Sequence, residues 1–439
     1  MAAFAFRGEY MTAPVGNQAA GIAARPNVAT ESSASRVLSV LDHDAFITSV
    51  TTSDERALLA AATVQSREHP ARVAEVLRAI EHDTYTAAVT SRHDRVLLAA
   101  AAIEGDLSGK DATAAFNNIS LDVWGKTIED ARDRVLLAVA ALRTGGTGTD
   151  AIYKFGNISS DEYTASETSD HERVVLTTAA IEGDLSGKDA ASAFNNVSIM
   201  DQTAGLTASQ RVELTAGALR GGNTGRAAAE AYAGIEQDAY AGIVTSVDER
   251  VGLAAAAAQA WRTGAQAATT FTNVSSDKYA WSVTSSAQRV TLASAAMQGL
   301  RTGLDAAAAF NNVSADPMAG ELDLESRIQL TSAALSGIVT GTDIAAAYTN
   351  ISDDNYAPQV TDARQRVLLA AALVNNFHVE AEGPLLEWFS ATAKAEVSTG
   401  DDPVEPTMGD EEAVSTGDDA ASAAGGGPVS VFERMRATG

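Results

Sequence analysis

Two loops carry residue types that hold calcium or phosphate, GDLSGKD at 105–111 and TGGTGTD at 144–150. The aspartate spacing of an EF-hand and the GxxxxGK[ST] order of a P-loop are both missing. Asp111, Asp150, Asp189, Asp305 and Asp343 therefore read as helix N-caps. Six histidines are present and no cysteine, which removes disulfides, thiolate metal sites and cysteine nucleophiles. His43 and His82 sit at equivalent places 39 residues apart, and His93 and His171 at places 78 apart, too far along the chain for one local metal site. No Ser/His/Asp set has local support. Catalytic, cofactor-binding and metal-binding residues are all assigned as none, and the chain is expected not to be an enzyme. Sequons at Asn118, Asn157, Asn196, Asn273, Asn312 and Asn350 could carry sugars in an exported protein. Their regular position suggests punctuation instead, with Asn stopping one helix and Ser starting the next.

The strongest charged pattern is a series of aspartates twelve residues before arginines: Asp83–Arg95, Asp122–Arg134, Asp161–Arg173, Asp238–Arg250 and Asp277–Arg289. The arginine falls in the first turn of a long helix, where the dipole disfavours a cation, and a carboxylate would offset that. An Asp–Arg ladder fastening repeat to repeat is expected. Two residues after the aspartate stands an aromatic: Phe46, Tyr85, Trp124, Tyr163, Tyr240, Tyr279 and Tyr356. These read as spacers between layers rather than a peptide or sugar groove.

The elements that position these side chains are copies of one module. Arginine recurs at 56, 95, 134, 173, 211, 250, 289, 327 and 366, at steps of 38 or 39 residues. Glycine follows fourteen residues later at 109, 148, 187, 225, 264, 303 and 341, with Pro70 in the first copy. Such a period marks a repeat array. In the copy at 90–128, RHDRVLLAAAAIEGDLS reads as a long helix with Val96, Leu97, Ala100 and Ile103 on one apolar stripe. Gly109 reads as its left-handed stop, and Asp111 as the cap of a short second helix carrying Phe116. Ser120 reads as the cap of a third, with Trp124 turned inward. The expected fold is all-α: a solenoid of about nine 39-residue repeats, each of one long and two short helices. It resembles HEAT and armadillo arrays in architecture only, since neither family's motif is matched.

Five segments are expected: an extended arm over 1–32, the solenoid over 33–382, a capping helix over 383–394, an acidic flexible linker over 395–427, and a docking peptide over 428–439. Residues 33–52 match only the short-helix half of the unit and read as the cap of one end. The linker holds nine acidic and no basic residues, a composition that stays solvated. In the last segment Val431, Phe432 and Met435 form one apolar face beside Arg434 and Arg436, which suits a protein partner.

The chain has 439 residues, 31 basic against 57 acidic, and a net charge of −26. That charge argues against nucleic acid as a partner. No run of about 18 apolar residues predicts a membrane span, and no signal segment is visible. A cytoplasmic or virion-associated place is expected. Six of the 31 basic residues are lysine, a bias that fits a salt-adapted or GC-rich source. The expected function is a non-enzymatic scaffold within a larger assembly, such as a virus particle or surface lattice, attached by its terminal arms. Two alternatives stand beside it: a soluble adaptor that binds peptides on the concave face, and an unrecognised enzyme.

Overall fold

The computed structural model describes residues 31–337 and 339–375. The capping segment, the acidic linker and the docking peptide lie outside the described residues, as does the arm up to residue 30. By internal contacts the chain divides into two units, Met1–Leu385 and Leu386–Gly439; every structural description below concerns the first. Every regular element among the described residues is helical.

The module is inner helix, outer helix, short helix. The inner helices are Ser53–Ser66, Arg92–Glu104, Ala131–Arg143, Asp170–Glu182, Ala208–Arg220, Val247–Gln259, Ser286–Gln298, Leu324–Ser336 and Ala363–Asn375. Their starts follow from sequence: Ser91 accepts the N–H of Asp94, whose carboxylate accepts the N–H of Ser91, a reciprocal capping box. The outer helices begin in the same way at Ser108 and Asp111, and at Ser186 and Asp189. The aspartates expected as N-caps thus stand three residues inside their helices. The outer helix Gly109–Leu121 also runs straight through Asn118 and Ser120. The short helices are capped by aspartate instead, as Asp83 does for Thr84–Val89.

The repeated glycines do not end helices in a left-handed conformation. Gly109 is the first residue of an outer helix. Left-handed residues lie at Asp106, Gly145, Asp184 and Gly222, just past the inner helices. The reason for glycine is close approach between successive outer helices. A Cβ at Gly148 would stand 2.0 Å from the carbonyl oxygen of Ala115, and one at Gly225 equally close to that of Ala193.

Alanine serves the inner layer likewise. Val96–Ile103 is buried at eight consecutive positions, so the helix is apolar all round rather than on one stripe, as befits an element packed on several sides. Phe116, Phe155, Phe194, Phe271 and Phe310 are fully buried between the layers, each contributing about 1.5–3 kcal/mol.

The array is closed. Each inner helix packs against the next, and Ala363–Asn375 packs against Ser53–Ser66 as closely as the successive pairs do, Ala208–Arg220 with Val247–Gln259 alone being more extensive. The helix Glu31–His43 lies in the outer layer between Gly341–Ser352 and Pro70–Glu81. Residues 31–52 therefore do not cap a free end. They supply the outer and short helices of a unit whose inner helix is Ala363–Asn375, at the other end of this helical array. Pro70 replaces the packing glycine where its outer helix meets Glu31–His43, and both contacts of Glu31–His43 within the outer layer are looser than those between the other outer helices.

Candidate interaction surfaces

The arginines take partners other than the aspartates twelve residues before them. Arg95 donates from Nη1 to the carbonyls of Thr90 at 2.7 Å and Ala87 at 3.5 Å, and from Nε to Glu81 at 2.8 Å. Arg173 and Arg250 bond the carbonyls of Thr168 and Thr245, and Arg289 that of Thr284 at 2.6 Å. Arg134 caps the carbonyl of Ile128. Each guanidinium thus closes the C-terminal end of the preceding short helix, where free carbonyls and the dipole favour a cation. That end offsets the cost of a cation near the start of the inner helix.

The aspartates do fasten repeats, through asparagine. Asp83 accepts the N–H of Thr86 at 2.8 Å and the Asn117 amide of the next outer helix at 3.3 Å. Asp161 pairs with Thr164 and Asn195, and Asp277 with Ala280 and Asn311. Burial alone would raise the carboxyl of Asp83, but the Thr86 N–H and hydroxyl and the Asn117 amide together hold it below the usual range. Asp161 is lowered in the same way. Asp238 and Asp122 cap their own short turns. The aromatics bridge units as spacers: Tyr85 meets Phe116 with ring centroids 6.4 Å apart, and Tyr279 meets Phe310 at 6.0 Å. Trp124, partly exposed, lies where a Cβ on Gly156 would be 2.7 Å from its ring. Where the indole replaces tyrosine, glycine replaces the asparagine that stands at 117 and 195.

Sequence reasoning missed two members of this network. The first asparagine of each Asn-Asn pair is one, overshadowed by the sequon on the second. The threonine five residues before the arginine is the other, present at 51, 90, 168, 245, 284 and 361. Its recurrence was the available signal. Its hydroxyl turns back on its own helix, as Thr90 does to the carbonyl of Thr86 at 2.6 Å.

A second belt runs around the starts of the inner helices. His171 Nδ1 lies 2.7 Å from Asp133, Ser209 donates to Glu172 at 2.6 Å, and Gln210 to Asp248 at 2.6 Å. At the seam, Ser53 donates to the carbonyl of Val360 at 3.2 Å, and Gln365 donates to Ser53 at 3.2 Å. The equivalent interior residues do the same: Ser286 bonds the Val244 carbonyl and Glu249, both at 3.2 Å. The seam adds Tyr356, whose hydroxyl donates to Asp42 at 3.2 Å.

Among the described residues the histidines form no cluster. His43 rests on Tyr356 and His82 on Phe46, while His93 and His171 each face a carboxylate of the preceding unit. No cluster of three or more His, Asp or Glu able to hold a metal ion occurs among the described residues. A cleft of about 460 Å³ between two units is lined by Tyr153, Lys154, Asn157 and Glu182. Glu182 already pairs with Arg220 at 2.7 Å. No helix among the described residues is long and apolar enough to cross a membrane. Val431, Phe432, Arg434, Met435 and Arg436 lie outside the described residues. The fold defines a class, the closed α-helical repeat array. No protein-family model and no curated protein matches the chain.

Proposed function

We propose that the chain is a non-enzymatic structural and interaction scaffold, one component of a larger assembly, joined to protein partners through its terminal arms. A particle or surface lattice is the concrete form this takes. The observation that carries the reading is closure. The recurrent polar side chains, Arg, Asp, Asn, Thr and the seam's Ser53 and Gln365, bond one another or the carbonyls of the short helices and hold the module in register. A module spent on its own fastening suits a stiff building block. Closure also turns the concave face into an inner wall, which leaves the adaptor reading without an open groove. The attachment is assigned to residues 428–439, where apolar and cationic side chains end a solvated acidic stretch. Deleting 428–439 from the full chain tests it. Association with the partner assembly at high salt should be lost while thermal unfolding stays unchanged. Undiminished association would overturn the assignment.

A further inference from the structure

Two neighbouring units place large apolar side chains where the other described units carry Asp, Gly or Arg. The residue eleven after the arginine leaves the inner helix in the left-handed region, and in three successive units it is Asp106 (φ 53°), Gly145 (φ 67°) and Asp184 (φ 50°). Glycine and short polar residues tolerate that region. Gly222 keeps the pattern and the unit of Arg56 holds Arg67 there (φ 58°), but the two units after Gly222 place Trp261 and Leu300 there, both at φ 55°. Neither side chain gains burial from the strain: Trp261 is 71% exposed, Leu300 67%, and nearby Leu304 64%. The fold itself would be better served by Asp or Gly at both places. Bulky residues held in that conformation and left in water point to a role outside the fold.

Each is followed by an arginine, Arg262 and Arg301. Among the described residues neither takes an ion-pair partner; Arg301 acts on Asp305 through longer-range charge. The inner helices that end at this patch, Val247–Gln259 and Ser286–Gln298, pack side by side, about 10 Å apart. The result is one apolar patch with two cations in a chain whose net charge is −26. Three side chains of this size offer roughly 400 Å², half of the ~800 Å² per partner in a stable interface between globular proteins. A short peptide stretch fits better than a folded face. Its complement is acidic and bears large apolar side chains.

The chain carries such a stretch. Between 380 and 389, Glu380, Glu382 and Glu387 alternate with Leu385, Leu386, Trp388 and Phe389. The cap over 383–394 was expected to cover an open end, and a closed array has no such end. We propose that the face formed by Trp261, Leu300, Leu304, Arg262 and Arg301 receives the 380–389 stretch of a second copy of this chain. A contact between two unlike patches is heterologous and propagates from copy to copy. It rests on the assembly reading above and names one contact within it.

The test is sedimentation of the full chain over a concentration series. The native chain should gain mass with concentration. A patch variant, Trp261→Asp with Leu300→Asp, and a tail variant, Leu386→Asp with Trp388→Asp, should each stay monomeric with thermal unfolding unchanged. Mixed, the two retain one intact contact and should give a heterodimer and nothing larger. Arg262→Glu with Arg301→Glu should weaken self-association more than tenfold, and Glu380→Arg with Glu382→Arg should restore it in the same chain. A native chain monomeric at all concentrations, a patch variant that associates like the native chain, or a mixture that stays monomeric would each overturn the proposal. A chain that joins its partner through 428–439 but never joins itself would refute this contact and leave the scaffold reading standing.

Discussion

Gly225→Ala asks whether the repeated glycine is there for space. The new Cβ would lie 2.0 Å from the carbonyl oxygen of Ala193, 2.8 Å from its carbonyl carbon and 3.0 Å from Val197 Cγ2. Carbon contacts are comfortable near ~3.5–4.0 Å, so the outer helices must separate by more than about 1 Å. The obstacle is backbone, which cannot rotate away. Forcing a methyl into a packed contact costs about 1–3 kcal/mol, while alanine's helix preference returns at most ~1 kcal/mol. The expected result is a net loss of roughly 1–2 kcal/mol, read as a fall of a few degrees in the melting midpoint followed by circular dichroism. Gly252→Ala is the control. Its Cβ would meet a flexible Glu213 carboxylate at 3.4 Å, so helix preference prevails and stability should rise by up to ~1 kcal/mol. Gly225→Asn separates space from conformation: a left-handed requirement would favour Asn over Ala, whereas a steric one makes Asn worse. Gly225→Asn more stable than Gly225→Ala, or Gly225→Ala as stable as the native chain, would refute the reasoning.

Three further outcomes follow from the bonding network. Arg173→Ala should lower stability by about 1.5–3 kcal/mol, because it strips a charged donor from the Thr168 carbonyl. Asp161→Asn, which keeps the cap, should cost less than ~0.5 kcal/mol; equal losses in chemical denaturation would restore the Asp–Arg ladder. Asp83 and Asp161 are held below the ordinary carboxylate range, so their contribution is full above the unfolded value near ~3.9 and is lost as pH falls through the lower folded one. A melting series below pH ~4 should fall less steeply in Asp83→Asn, and parallel curves would count against it. Removal of residues 1–52 takes away the Tyr356–Asp42 bond and the helix Glu31–His43, which uncovers Ser53–Ser66 along the side that helix packs against. Hydrogen exchange should then quicken first in Ser53–Ser66, and uniform protection would deny that this packing stabilises it.

The module was legible because its spacing is nearly strict: a register of 38 or 39 residues fixes where helices start and which faces pack. Partners were less legible because several polar residues share each turn. Asp83 lies twelve residues from Arg95, yet Glu81, two residues earlier on the outer helix, is within 2.8 Å of it, and the Thr90 carbonyl is closer still. The sequence presents a charge pair; the geometry prefers free carbonyls at a helix end. Glycine misled for a related reason. A helix stop and a close helix contact both call for a missing side chain, and Gly109 is surrounded by Ser and Asp that suit either. Closure was hidden because the period is the same in open and closed arrays. Its trace is the half-unit at 31–52, which matches the outer and short helices that Ala363–Asn375 lacks.

Closure also changes where departures from the repeat carry meaning. In an open array the terminal units must differ, since each has one side without a neighbour and needs a polar cap. Here Ala363–Asn375 and Ser53–Ser66 are neighbours bonded by the interior pattern, Ser53 to the Val360 carbonyl as Ser286 is to that of Val244. Every inner helix is therefore flanked on both sides, and stacking imposes no difference among them. What varies between copies lies at the loops that leave the inner helices and at the short-helix turns. At the first of these, Asp106, Gly145, Asp184 and Gly222 satisfy the backbone at least cost, while Arg67, Trp261 and Leu300 do not, and of these three Trp261 and Leu300 are apolar. A residue that worsens its own fold and exposes apolar surface has no support from stacking, and the contact proposed above would give it one. The seam and the Trp261 patch thus belong to one geometry: the first leaves the array without free ends, and the second lies where successive copies differ and where the proposed contact would form.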